Sequence, residues 1–207
     1  MHGVWPWIIL FLLGCYHGVN PGMGWLFAVA LGMQEKSSRA VLGAIIPIGI
    51  GHAVSIGLVV ALAGFAELHY SHASIKIAAA AILFGFGAYL LIRSRHLRWV
   101  GMRVGFWGLA LWAFIMASGH GAGLMLLPIV THDSAMAGMN MPAVAPSAAA
   151  LIGAVAVHTA GYLLVMTAIA FLVYEKLGLA MLRRGWLNFD LIWAVALIIT
   201  GVVMLLV

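Results

Sequence analysis

The chain has 207 residues, of which 65% are apolar and only 7% charged, with ten Lys and Arg against five Asp and Glu. A water-soluble domain carries about 45–50% apolar and about 25% charged residues, so this chain has too few charges to coat a surface facing water, and a mean hydropathy of +1.15 points to lipid as its solvent. A cytosolic enzyme, a disordered chain and a nucleic-acid binder are thereby excluded; the pI of 9.8 is read as a report on membrane orientation.

Six stretches are apolar enough to cross a bilayer as helices, which takes about 20 residues each. In chain order they are 5–33, 42–66, 75–92, 104–131, 148–173 and 190–207. Their apolar runs are continuous, without the alternation of membrane strands, so the expected fold is an all-α membrane protein of six transmembrane helices. Met1-His2-Gly3 has no positive segment and the first basic residue is Lys36, so no cleavable leader is expected. Leu12-Leu13-Gly14-Cys15 resembles a lipoprotein cleavage site only faintly. The first span is too long for one straight crossing and holds Asn20-Pro21-Gly22, which predicts a bend or an unwound turn.

The connectors set the orientation. Lys36 and Arg39 come after the first span, Arg93, Arg95, Arg98 and Arg103 after the third, and Lys176, Arg183 and Arg184 after the fifth. Nine of the ten basic residues thus share one side and only Lys76 takes the other, which by the positive-inside rule puts that side in the cytoplasm of a cell (inner) membrane and both termini outward. The outward connector after the fourth span is polar and carries His132, Met136, Met139 and Met141. The lone Cys15 rules out an intrachain disulfide and dithiol redox chemistry.

Polar residues at membrane depth recur by halves. Tyr16-His17-Gly18 in the first span corresponds to Gly119-His120-Gly121 in the fourth, a shift of 103 residues. Gly51-His52-Ala53 in the second corresponds to Val157-His158-Thr159 in the fifth, a shift of 106. Three spans per half is an odd number, so residues 1–103 and 104–207 read as two inverted three-helix repeats, an arrangement common in transporters that bind substrate near the midplane. Span one is then expected beside span four, and span two beside span five. Small residues at four-residue spacing (Gly14, Gly18 and Gly22; Gly49, Ala53 and Gly57; Gly119 and Gly123) are expected to let helices approach closely. Plain bundle packing accounts for them as well.

No Asp, Glu, Lys or Arg falls deep in a span, which leaves His17, His52, His120 and His158 as the main ionisable groups at depth. Such residues are costly and point to function. A single buried histidine is ordinarily a packed ring bonded to a neighbour, such as Ser55 near His52, but four in register predict a shared site. The expected ring is neutral, with one donor and one lone pair able to take a metal. Pro21 clashes with the carbonyl four residues back, that of His17, which is expected to free that oxygen beside the imidazole. Met23 and Met125, five or six residues beyond each half's first histidine, are candidate soft ligands, and Asn20, Gly22 and Thr159 line the same segments.

His17-Gly18-Val19-Asn20-Pro21-Gly22-Met23-Gly24 resembles the first-span signature His-x-x-x-Pro-Gly-His-Gly of the nickel/cobalt exporter family, within the lysine-exporter-like transporter superfamily. His17, Pro21, Gly22 and Gly24 match, while Met23 stands where that family has its second histidine. The resemblance implies six spans in two triplets and transport of a transition-metal ion. A thioether favours Cu(I), imidazole suits nickel and copper, and neutral ligands accommodate a monovalent ion more easily than a divalent one. The reading is therefore a multi-pass transporter, not an enzyme, for a soft or borderline cation such as copper, nickel or cobalt, with the outer loop either gathering the ion or serving only as a flexible connector. Its partners are the lipid bilayer and the metal ion, with a second copy or a larger membrane complex also open. A haem-binding membrane redox protein with paired axial histidines and an accessory subunit are the alternatives. A His-ligated zinc hydrolase ranks lower, since no intramembrane carboxylate offers a general base.

Overall fold

Helices satisfy their own backbone hydrogen bonds within one segment, so unbroken apolar runs favour them wherever water is scarce. Every regular element among the described residues is accordingly helical. The computed structural model describes residues 4–67, 69–92, 105–130, 147–177 and 189–206. Helix α1 spans Trp5–Val19, a 3₁₀ turn comes next at Pro21–Met23, and α2 runs over Trp25–Glu35. Lys36 and Ser37 turn the chain into α3, Ser38–Glu67, and α4 covers His72–Ile92. Helix α5, Phe106–Gly119, breaks before a 3₁₀ turn at Leu124–Leu126 and a short α6, Leu127–Val130. Helix α7, Ala148–Leu172, ends in a π turn at Val173–Leu177, and α8 is Phe189–Leu206.

Among the described residues two helices are long and apolar enough to cross a membrane, Ser38–Ala66 and Ala148–Lys176, each of 29 residues. Shorter apolar helices occupy Trp5–Val19, Ala73–Tyr89, Phe106–Gly119 and Ala194–Leu205. The first predicted span is divided at Asn20–Gly24, as Pro21 led one to expect. The fourth is divided too, at His120–Gly123, which was not expected.

Three helix pairs dominate the packing: α1 on α7, α3 on α5, and α4 on α8. Glycines set how close two of these pairs come. A Cβ on Gly14 would run into the His158 carbonyl oxygen, and one on Gly161 into that of Phe11, so α1 and α7 meet backbone to backbone. Gly51 meets the Ala110 carbonyl of α5 in the same way, and a Cβ on Gly87 would lie 3.1 Å from the Ala194 carbonyl of α8. The expected pairing of span one with span four and span two with span five as principal neighbours is therefore corrected. A repeat says which helices are equivalent, whereas the small faces decide which ones touch. Span two does reach span five by a secondary contact of α3 with α7. Gly57 and Gly119, expected in close-packing stripes, have open space where a side chain would start.

The interior holds two apolar clusters. One gathers Met23, Ile48, Leu83, Tyr162, Met166 and Leu197, the other Leu10, Ile56, Val60, Leu126, Ile129 and Ala154. The outer faces of the long helices expose Leu58, Leu62, Leu111, Ile152 and Leu164.

Candidate functional site

The end of α1 builds the first half of the site. Proline contributes no N–H and clashes with the carbonyl four residues back, which kinks or breaks a helix; α3 runs on through Pro47, but here the helix ends, Asn20 leaving it with φ −67° and ψ 121°. The carbonyl of His17 is not left open, as the sequence suggested: the Asn20 N–H donates to it at 3.2 Å. The bond has slipped from the i+4 to the i+3 donor. Three further bonds brace the break. Asn20 Oδ1 accepts from the Gly22 N–H at 2.9 Å, Trp25 Nε1 donates to the Val19 carbonyl at 3.0 Å, and the Tyr162 hydroxyl donates to the Met23 carbonyl. Gly24, at φ 137°, then starts α2 in a conformation other residues avoid.

In the second half the helix ends differently. Gly121 at φ 67° ends α5, the Gly121 N–H returning to the Ser118 carbonyl and the Ala122 N–H to that of Ala117, both at 3.1 Å. This is a Schellman turn with glycine in the left-handed position.

Each break is preceded by a histidine anchored in one way. His17 Nδ1–H donates to the Leu13 carbonyl at 2.9 Å and His120 Nδ1–H to the Met116 carbonyl at 2.8 Å. A carbonyl can only accept, so the bond puts the proton on Nδ1 and the lone pair on Nε2.

The buried polar side chains among the described residues are His17, Asn20, His52, Ser55, His120, His158 and Thr159. All seven are sequence candidates, and none is a carboxylate. Three of the rings converge. The His17 centroid lies 4.8 Å from that of His158 and 5.9 Å from that of His52, and the His52 and His158 rings are parallel within 9° at 5.7 Å. They come from α1, α3 and α7, and so from both halves. His120 stands at the edge: its Nε2 lies 3.7 Å from where a Gly22 side chain would begin. Ser55 does not bond to His52; its hydroxyl meets that of Ser118 at 2.8 Å and ties α3 to α5.

His52 Nε2, His158 Nε2, Asn20 Nδ2 and Thr159 Oγ1 are buried without a hydrogen-bond partner among the described residues. A buried polar atom left unpaired costs about 1–3 kcal/mol, so the cluster has unspent capacity to bind. Among the described residues no three His, Cys, Asp or Glu side chains are placed so that they could hold a metal ion as they stand. Met23 and Met125 are both buried in the apolar core, and the polar bond that joins the Met23 turn to α7 uses its carbonyl. His132, Met136, Met139 and Met141 lie outside the described residues.

Two residues at the site were not singled out from the sequence. The Tyr162 ring is stacked on His52 with centroids 3.8 Å apart, and Met166 Sδ lies 3.3 Å from where a Gly24 Cβ would be. The signal was present in the four-residue spacing of His158, Tyr162 and Met166, which puts all three on one helix face. Compared with protein families, curated proteins and solved structures, the chain matches none.

Proposed function

We propose that this chain is a multi-pass membrane transporter of a transition-metal cation, with His17, His52 and His158 as the transport site and His120 beside it. In this reading α1 with α2 and α5 with α6 form two broken spans, and α3, α4, α7 and α8 complete six. The spans form two inverted triplets, with the termini outward and Lys36, Arg39 and Lys176 toward the cytoplasm. The exposed leucines and isoleucines of the outer faces face lipid.

The observation that carries the reading is the convergence of three buried imidazoles, two of which, His52 and His158, have ring nitrogens without a hydrogen-bond partner among the described residues. An imidazole nitrogen binds an ion at about 2 Å, which sets each ring centroid about 3 Å out and two such rings about 5 Å apart. The observed separations of 4.8 to 5.9 Å match that scale, so closing on an ion asks for rotation of rings already in place. The ligands also bear on the substrate: neutral imidazoles, no carboxylate, and a methionine-lined neighbour layer favour a soft ion of low charge, such as copper, over nickel or cobalt. The first-span resemblance to nickel/cobalt exporters supports the same class. The backbone contact of α1 with α7 leaves little room there for a macrocycle, which disfavours the haem alternative.

The test is equilibrium binding of Cu(I), Ni(II) and Co(II) to the detergent-purified protein, with its absorbance spectrum. One ion per chain, lost in His52→Ala while the protein stays monodisperse, is expected. No binding of any of the three, or a Soret band, overturns the reading.

A further inference from the structure

We propose that Tyr162 is the latch of a gate that closes one side of the imidazole cluster, the side of the helix ends bearing Lys36, Arg39 and Lys176. As a step in transport, the inference rests on the function proposed above; as a barrier, it stands on geometry.

Along α7, His158, Tyr162 and Met166 succeed one another at four-residue spacing, each step about 6 Å along the axis. Tyr162 is therefore one turn past His158 in the direction of Lys176. On α3, which runs the other way, Ile48 is one turn before His52 in the direction of Arg39. These two residues and Met166 meet at Gly24: a Cβ there would lie 2.7 Å from Ile48 Cγ2, 3.2 Å from the Tyr162 hydroxyl and 3.3 Å from Met166 Sδ. The layer is closed because Gly24 has no side chain. One directional bond fastens it, from the Tyr162 hydroxyl to the Met23 carbonyl, and it joins α7 to the broken first span.

The opposite side is built otherwise. The same shifts of 103 and 106 residues relate Met23 to Leu126 and Tyr162 to Ile56. Both are fully buried, in one apolar cluster with Leu10 and Ala154. That closure rests on packing, whereas the Tyr162 closure rests on a hydroxyl that water can replace. The latch also senses the site. Its ring stacks on His52 at 3.8 Å, so turning His52 toward a cation removes the surface against which Tyr162 is held. Tyr162 is a positioning residue in this scheme, acting through His52 and the Met23 carbonyl.

The experiment uses side-specific thiol labelling. Cys15→Ser removes the only native thiol, and Ser55→Cys places a near-isosteric reporter on the far side of His52 from Tyr162. A membrane-impermeant maleimide is applied to either face of oriented vesicles, without added metal. From the face bearing Lys36, Tyr162→Phe should raise the labelling rate about tenfold, and from the other face it should leave the rate unchanged. Phenylalanine keeps the ring and its stacking, so a purely structural role predicts no one-sided change. Equal rates with and without the hydroxyl overturn the latch. Should Tyr162→Phe fail to purify as a folded protein, Ile48→Ala thins the same layer, and absence of one-sided acceleration there overturns it equally. Cu(I) binding by Cys15→Ser chains that keep Ser55, with and without Tyr162→Phe, separates the two readings, since a reporter thiol would itself take Cu(I). Binding with unchanged labelling removes the gate and keeps the transport site; accelerated labelling with no binding in any variant keeps the barrier and removes the transport site.

Discussion

In the first span His17 bonds to the carbonyl four residues back, and the helix runs two residues further before Pro21 stops it. In the fourth, His120 makes the same bond, but the helix has already ended at Gly119 and the turn is made by Gly121. The first break is braced by side chains from within and beyond the segment: Asn20, Trp25 and Tyr162 each take a backbone group. The second is closed by backbone bonds of Gly121 and Ala122, with no side-chain cap on the 3₁₀ turn at Leu124–Leu126. The anchoring of an imidazole needs helix before it, not after it. The residues beyond each histidine are free to differ, and they set how firmly the ring's surroundings are held. His17 sits within the ring cluster on a break braced by side chains, and His120 at its edge on one turned by backbone bonds.

Exchanging the histidines is the strongest way to break this comparison. His17→Ala should weaken Cu(I) binding about a hundredfold or more, two tenfold steps of about 1.4 kcal/mol each, and His120→Ala about tenfold, read by competition titration. Equal losses would show that the two halves contribute alike. The glycines come next. Gly24→Ala meets both a forbidden φ and the side chain of Ile48, and should cost about 3 kcal/mol or more by strain and overpacking. Gly121→Ala occupies the left-handed region at φ 67° and should cost about 1–2 kcal/mol. Thermal unfolding in detergent ranks the two, and the reverse order would sink the view of the first break as the more constrained. The smallest effect belongs to Ser55→Ala, which removes the α3–α5 hydroxyl bond beside the fourth-span break. Hydrogen bonds between membrane helices average about 0.6 kcal/mol, so the melting point should fall only slightly; a loss above about 2 kcal/mol would mean that this bond braces the break after all.

Much of the site was legible because polarity at depth is expensive. In so apolar a chain every buried polar residue stands out, and His17, Asn20, His52, Ser55, His120, His158 and Thr159 could each be marked. The division at Asn20–Gly24 was readable from Pro21 set between Asn20 and Gly22, whereas Pro47, between apolar residues, stays inside α3. The division of the fourth was not, because Gly119, Gly121 and Gly123 serve equally as turn residues and as packing faces, and only the backbone of Gly121 distinguishes these uses. The fate of the His17 carbonyl turned on a shift of donor by one residue, which spacing does not encode. Tyr162 escaped because an aromatic ring in an apolar helix resembles core, and its hydroxyl partner lies 139 residues away. The main helix neighbours were misjudged for a related reason: they were inferred from the recurrence of histidines, whereas contact is settled by which surfaces are smooth.

Those contacts have a consequence for how the protein is made. Each principal pair joins a helix of residues 1–103 to one of residues 104–207. On the membrane topology proposed above, α1, α3 and α4 would enter the bilayer during synthesis without their partners, with Gly14, Gly51 and Gly87 uncovered. His17 and His52 would then wait until α7 arrives, and α4 for α8. The first half on its own is a loose set of helices, and coexpressed halves should assemble with each other, since every large interface spans the cut.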